Sequence, residues 1–395
     1  MRIGLFTDTY YPQINGLATS VLMLNKYLQA LGHQVFVVTT TDPDAPKYEE
    51  NVYRLPSMPF LAERRMGMFY HPRLARLVRQ LDLDLIHTHS EFALGVFGRY
   101  MARELRLPMM HTMHTIYEDY THYLTKGLPV INSLAKVIAR KFTADFCNSA
   151  DHVIVPTEKM KSILLSYGVR AGLTTIPTGI EIDRFGPDYF SRSDIQGVRE
   201  ELGISQREKV LLYLGRVAEE KNIQELFYSM RSYLKETEGI RFLLVGDGQD
   251  RHRLEALAKE LDMIDKTIFA GAKSWYETGK YYHACDVFIS ASQSEAQGLT
   301  YIEAMAAGLP VVAKADDCLS GILQDGVNGY AFKDGDGLVK ALDRILTNDL
   351  EREKLGKGAM ETAERFSAQE YASRIAGEYS SLLEKTHGGV FRKTG

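Results

Sequence analysis

The chain has 395 residues, 45% of them hydrophobic and 25% charged, with a net charge of −4, which leaves room for two globular domains of ordinary size. No apolar run approaches ~18 residues, which excludes a membrane-spanning helix. Cys147, Cys285 and Cys318 stand far apart without metal-ligand spacing, which excludes a disulfide frame and points to a reducing compartment.

Charge is unevenly spread: residues 1–176 carry a balance of +4 and the remainder −8. The first half therefore suits an anionic partner, a membrane surface or a nucleic acid. Met1 and Arg2 lead straight into Ile3-Gly4-Leu5-Phe6-Thr7, a strand, and leave no room for a signal peptide. Further strands are predicted near 34–40, 84–88, 108–113, 152–156 and 173–176, alternating with helices near 16–31, 72–81, 91–105, 130–148 and 158–167. That alternation predicts a parallel sheet wrapped by helices, with its ligand crevice at the C-terminal strand ends.

The loop after the first strand, Asp8 to Ala18, contains Tyr10 and ends with Gly16 at a helix start. Gly16 could bring backbone close to a diphosphate; a plain loop glycine is the competing reading, and no G-x-G-x-x-G is present. Near 57–80, apolar Phe60, Leu61, Met66, Met68 and Phe69 alternate with Arg64, Arg65, Arg73, Arg76 and Arg79. His87, His89, His111 and His114 follow two strand ends, with Glu91 close behind the first pair. Four histidines raise the idea of zinc, but the helix-borne spacing of catalytic zinc sites is missing, and a histidine facing a sugar or acceptor is the stronger reading. Tyr117, Tyr120 and Tyr123 lie in an otherwise polar stretch, followed by a helix bearing Lys136, Arg140 and Lys141 among Leu134, Val137, Ile138 and Phe142. Mixed basic and apolar surface suits interfacial membrane binding; a core helix with a solvated basic face is the alternative.

Residues 178–194 have turn formers and no clear period and are predicted to link a first domain, 1–177, to a second, 195–375, with 376–395 crossing back onto the first. Strands of the second domain are predicted near 209–215, 241–245, 267–270, 286–290, 310–313 and 329–332. Arg216 and Lys221 follow its first strand and could converge on one anion, where two cations would stabilise a leaving diphosphate; two solvated basic residues are the plainer reading. Gly246 lies in a strand-end glycine turn, and Ala272 follows the next strand. The Asp-x-Asp pairs at 42/44, 82/84 and 334/336 are read as unconnected with metal.

After the strand at 286–290 comes Ser-Gln-Ser-Glu-Ala-Gln-Gly-Leu-Thr-Tyr-Ile-Glu-Ala-Met-Ala-Ala-Gly-Leu-Pro, residues 292–310. The unit reads as strand, polar loop and helix N-terminus, with Gly308 and Pro310 as the stop. First-turn amides around Gly298, Leu299 and Thr300 lack helical partners and face an anion favourably. Glu295 and Glu303 bracket that turn, and carboxylates suit sugar hydroxyls. A phosphate flanked by sugars fits the pattern; two solvated acids around an ordinary helix start compete with it.

This segment resembles the Glu-x7-Glu signature of the large retaining glycosyltransferase family that includes sucrose synthases, bacterial mannosyltransferases and lipid glucosyltransferases. With His111-Thr112-Met113-His114-Thr115-Ile116-Tyr117-Glu118-Asp119-Tyr120-Thr121-His122-Tyr123, it is similar to the bacterial diacylglycerol α-glucosyltransferases, over essentially the whole chain. The resemblance implies an α/β fold of GT-B type, two Rossmann-like domains facing across a cleft with a C-terminal helix crossing back.

It further implies transfer of a hexose, with retention, from UDP-glucose to the 3-hydroxyl of 1,2-diacylglycerol at the inner membrane face. In that reading Glu295 and His114 orient the hexose, and Arg216 and Lys221 stabilise the leaving group. Glu303 holds the ribose. Gly16, Gly246, Ala272, Gln297, Gly298, Leu299 and Thr300 complete the donor site. Tyr10, Tyr117, Tyr120, Arg64, Arg65, Phe69, Lys136 and Arg140 serve acceptor or membrane. No metal, cofactor or nucleic acid is implied, and the anionic membrane surface is the partner besides donor and lipid. UDP-galactose or GDP-mannose as donor, phosphatidylinositol or a soluble sugar as acceptor, an epimerase, and an inactive binding protein stay open as alternatives.

Overall fold

The computed structural model describes residues 1–13, 15–59, 65–67, 69–121 and 129–390, with the backbone alone at Pro59, Arg65, Met66, Asp119, Tyr120, Pro129, Val130 and 387–390. Phe60, Leu61, Arg64, Met68 and Tyr123 lie outside the described residues, as do the side chains of Arg65 and Tyr120. The chain divides into two compact units, Met1–Ile180 with Ala368–Gly395, and Glu181–Ser367.

In the first unit the strands are β1 (Arg2–Phe6), β2 (Gln34–Thr40), β3 (Val52–Leu55), β4 (Ser57–Pro59), β5 (Arg65–Gly67), β6 (Leu85–Thr88), β7 (Met109–Thr112), β8 (His152–Val155) and β9 (Gly172–Thr175). Seven of them form one parallel sheet in the order β3-β2-β1-β6-β7-β8-β9, and β4 and β5 make a separate antiparallel pair. Buried on both faces, the central strands read as continuous apolar runs. Edge strand β3 was not predicted, because Tyr53 and Arg54 interrupt any such run. Arg54 instead donates to the Tyr11 carbonyl and to Glu49. The helices are α1 (Gly16–Ala30), α2 (Pro72–Gln80), α3 (Ala93–Leu105), α4 (Pro129–Cys147) and α5 (Glu158–Ser166). Asn15 starts α1 by accepting from the Ala18 amide at 2.9 Å, as an N-cap should.

Residues 178–194, expected as a linker, are partly structured and belong mostly to the second unit. Ile182–Arg184 form a 3-10 turn, and α6 (Arg192–Glu201) begins inside that stretch because Ser191 and Asp194 make a reciprocal capping box. The second unit's strands are β10 (Lys209–Leu214), β11 (Ile240–Val245), β12 (Thr267–Gly271), β13 (Val287–Ser290), β14 (Val311–Lys314) and β15 (Gly329–Phe332), parallel in the order β12-β11-β10-β13-β14-β15. Its helices are α7 (Ile223–Glu236), α8 (Arg251–Glu260), α9 (Thr278–His283), α10 (Leu299–Ala306), α11 (Gly335–Leu346) and α12 (Asp349–Ala363).

The last helix, α13 (Ala368–Val390), returns to the first unit. The return starts at Ala368, earlier than the expected 376. Tyr371, Ile375 and Tyr379 share one helix face, and they are buried in one cluster with Ile3, Leu5, Val37 and Leu85. The Tyr371 hydroxyl hydrogen-bonds Ser20 Oγ at 3.0 Å, and the Tyr379 hydroxyl meets His87 Nδ1 at 2.6 Å, so the buried phenols are satisfied.

Strand order reverses once in each sheet, between β1 and β6 and between β10 and β13. Ligands of open parallel sheets bind outside the carboxyl ends at such reversals. His89 follows β6, Arg216 follows β10 and Glu295 follows β13, so these three stand at the two reversals, whereas His114 follows β7, Gly246 follows β11 and Ala272 follows β12.

Candidate functional site

At the β10/β13 reversal, Lys221 Nζ donates to Glu295 Oε1 at 2.6 Å, and Ser292 Oγ donates to the same oxygen at 2.9 Å. Burial works against the Glu295 charge, but the ammonium of Lys221, these hydrogen bonds and the nearby Arg216 hold its carboxyl below the ordinary range. Arg216 is ion-paired with Glu220. Each of the two cations expected to converge on one anion is paired with a different carboxylate of the protein, Lys221 with Glu295 and Arg216 with Glu220. Ser294 Oγ donates to the Glu220 carbonyl at 3.0 Å and ties the Lys221 turn to the Glu295 loop.

Gly298 sits at φ +76°, and a Cβ there would meet a ring carbon of Tyr301 at 2.3 Å. Only glycine makes this entry to α10. Leu299 and Thr300 stand in the first turn, where the helix supplies no acceptor for their amides. Tyr301 is buried and donates to Ser290 Oγ at 2.9 Å, fixing the turn from beneath. Gly246, at φ +140°, presses on the end of β10: a Cβ would meet the Gly215 carbonyl oxygen at 1.9 Å. Gly246 N in turn donates to the Gly271 carbonyl at 2.9 Å, so three strand ends are laced together beside Arg216. Ala272 is exposed just after β12. Gln297 is buried, and so is Glu303, which accepts from the Tyr282 hydroxyl at 2.8 Å. Burial raises the Glu303 pKa despite that hydrogen bond.

At the β1/β6 reversal buried histidines stand beside the carboxylates of Glu91 and Asp8. His89 Nδ1 and His114 Nε2 lie 3.1 Å apart, and burial, then the His111 charge, push the His114 pKa down to about 3. His111 is a buried support. Its Nε2 meets Glu91 Oε1 at 3.1 Å and its Nδ1 meets Thr88 Oγ1 at 2.9 Å. Tyr117 donates to the other Glu91 oxygen, so Glu91 organises the loop after β7. Asp8 accepts from Ser90 Oγ at 2.6 Å and from the Leu94 amide at 3.0 Å, fixing the start of α3. Gly16 is exposed at the first position of α1.

Tyr10, expected at the acceptor or membrane side, is instead a core residue. It is buried among Ile3, Val21 and Leu24, accepts from Asn25 Nδ2 at 3.0 Å, and has its pKa pushed up to about 12 by burial. Its apolar ring gains more from the core than from the surface. Phe69 is exposed. Lys136 and Arg140 lie on α4 and face Glu118, at 3.8 Å for Lys136 Nζ and 2.8 Å for Arg140 Nε. Tyr167 also donates to Glu118, at 2.7 Å. Glu91, Glu118, Glu220 and Tyr282 were not assigned from the sequence; Glu91 and Glu118 adjoin the quoted histidine stretches, and nothing in local pattern marks Tyr282.

Among the described residues, no group of three or more His, Cys, Asp and Glu side chains could hold a metal ion. The aspartate pairs have local work: Asp42 accepts from the Asp44 amide, Asp84 from the Arg2 amide and Asp334 from the Gly337 amide. No described helix is long and apolar enough to cross a membrane.

Residues 14–184 match Glycosyltransferase Family 4, and residues 194–362 match Glycosyl transferases group 1. An alpha-monoglucosyldiacylglycerol synthase of Streptococcus pneumoniae is 40% identical over 95% of this chain and 84% of its own. One from Acholeplasma laidlawii is 34% identical, covering 100% of both chains. Among solved structures, HepE of Anabaena in complex with UDP superposes with a TM-score of 0.76 at 21% identity, over 96% of this chain and 100% of that one. Sucrose-phosphate synthase from Thermosynechococcus elongatus gives 0.76 at 24% identity, over 97% and 99%.

Proposed function

The chain belongs to these glycosyltransferases, enzymes of the GT-B fold, and we propose that it transfers glucose from UDP-glucose to the 3-hydroxyl of 1,2-diacylglycerol with retention, giving α-monoglucosyl diacylglycerol. The observation that carries this reading is the full-length similarity to two synthases of that product, joined to a cation pair and a carboxylate at one sheet reversal.

In this reading the second unit takes the donor. Arg216, Lys221 and the amides of Leu299 and Thr300 offset the charge that grows on the diphosphate as the C1–O bond breaks. Glu295 orients the hexose and Glu303 the ribose. The acceptor oxygen bonds to C1 on the face the diphosphate leaves, and its proton passes to the departing phosphate oxygen, so no protein nucleophile is used. UDP is the second product. The first unit takes the lipid, with His114 as a neutral hydrogen-bonding group for the hexose.

Peripheral association with the inner membrane face is supported by α4. Ile131, Leu134, Val137 and Ile138 are each more than half exposed, beside Lys136, Arg140 and Lys141. An apolar stripe edged by cations suits an anionic bilayer surface.

The test is a donor-by-acceptor assay with anomer analysis. UDP-glucose, UDP-galactose and GDP-mannose are offered with diacylglycerol in mixed micelles and without lipid. α-Glucosyl diacylglycerol, lost in Glu295→Ala, is the expected product. Transfer only in the absence of lipid would remove the lipid acceptor and leave the donor site.

A further inference from the structure

The cation pair at the β10/β13 reversal is accompanied by a carboxylate that the transfer chemistry does not use. Glu220 precedes Lys221 in the 3-10 turn Glu219–Lys221, and its side chain is only 5% exposed. Its carboxylate is ion-paired with Arg216, whose side chain is 39% exposed. Its main chain is anchored, because its carbonyl accepts from Ser294 Oγ at 3.0 Å. Arg216 is held from its own side as well, since its carbonyl accepts from the Tyr213 hydroxyl at 2.9 Å. A nearly buried carboxylate on an anchored main chain thus pairs with an accessible cation at the position assigned to a diphosphate.

We propose that Glu220 is an internal counter-ion for Arg216: it competes with the nucleoside diphosphate for the guanidinium and so promotes release of the UDP product. The inference rests on the donor site assigned above. Glu220 is a positioning residue, since it acts through Arg216. Its carboxylate repels a neighbouring diphosphate and attracts the guanidinium away from it, and both effects weaken the bound anion. The other cation, Lys221, has a carboxylate partner too, but that partner, Glu295, is assigned to the sugar. Glu220 has no such assignment.

The experiment is calorimetric titration of the full-length protein with UDP. Glu220→Gln keeps a hydrogen-bond acceptor for Arg216 and removes the charge, so the guanidinium stays aimed while competition ends. UDP binding is expected to tighten about fivefold, the size of one partly exposed charge pair. Glu220→Ser, a second charge-removing variant, should tighten it as well, and Glu220→Asp, which keeps the charge, should stay within about twofold of the parent. Loss of a merely structural contact would weaken binding, so the direction of the change separates the two roles. Unchanged or weaker UDP binding in both charge-removing variants, with binding lost in Arg216→Ala, overturns the counter-ion and leaves the donor site intact. Parental UDP binding in Arg216→Ala overturns the donor assignment of Arg216 and the counter-ion together.

Discussion

The two sheet reversals carry opposite electrostatics. In the first unit, burial drives the pKa values of His87, His89 and His114 down, so these imidazoles are neutral, and the carboxylates of Glu91 and Asp8 beside them are tied up in hydrogen bonds. In the second unit, the groups at the β10 and β13 ends are charged and paired, Lys221 with Glu295 and Arg216 with Glu220. Neutral hydrogen-bonding groups keep their interactions as salt changes. A paired ionic surface responds to any anion that enters it, because the incoming charge competes with the internal partner. One parallel-sheet plan therefore carries two kinds of polar cluster, one built mainly on hydrogen-bonded imidazoles and one on ion pairs.

The largest effect is expected where the charged reversal is broken. Lys221→Ala removes the cation that the proposed function sets against the leaving diphosphate and leaves Glu295 without its 2.6 Å partner, and should lower kcat by about 10²–10³. Single-turnover transfer from UDP-glucose measures it; a loss below tenfold would detach Lys221 from the chemistry. At the histidine cluster the test is a substitution that keeps hydrogen bonding. His114→Gln should retain activity within about tenfold, and His114→Ala should lose about 10²-fold, because the reading assigns His114 no proton transfer. Equal losses in both variants would show that the imidazole itself is required.

Acid sharpens the contrast. His114 takes up its proton near pH 6.5 in the unfolded chain and only near pH 3 in the fold. The unfolded state therefore binds more protons between these values, and stability contributed above pH 6.5 is lost as pH falls towards 3. At pH 4.5 this group alone costs about 2–3 kcal/mol. Melting temperature measured from pH 7.5 to 4.5 should fall less steeply in His114→Gln than in the parent. The smallest effect is expected outside both reversals. Glu118→Gln weakens its partly exposed contacts to Arg140 and Lys136, costs about 1 kcal/mol and leaves UDP affinity unchanged. Thermal melting and UDP titration on one sample check both halves of that statement.

The sequence carried much of the second site. Glu295, Gly298, Leu299 and Thr300 lie close together on one strand–loop–helix unit, so their proximity was readable from spacing, while their assignment to one site came from the family resemblance. Arg216 and Lys221 followed the end of a readable apolar strand. Glu303 was legible as a position, but its hydroxyl partner Tyr282 comes from another helix. Tyr10 was misplaced because a tyrosine in a loop reads alike whether its ring turns inward or outward; the packing of α1 and β1 decided it. Edge strand β3 and the β4–β5 pair were missed because all three strands are too short to impose a period.

By itself, the sequence determined the alternation of strands and helices, the strand-end loops and the glycines that only those loops tolerate. These are local properties, fixed by apolar run length and by backbone conformation. Tertiary structure decided the neutral state of His87, His89 and His114, the pairing of Lys221 with Glu295 and of Arg216 with Glu220, and the place of α13 against β1. Each of these depends on groups distant in sequence, as with Lys221 and Glu295 or His87 and Tyr379, and on a burial that exists only once the sheets have formed.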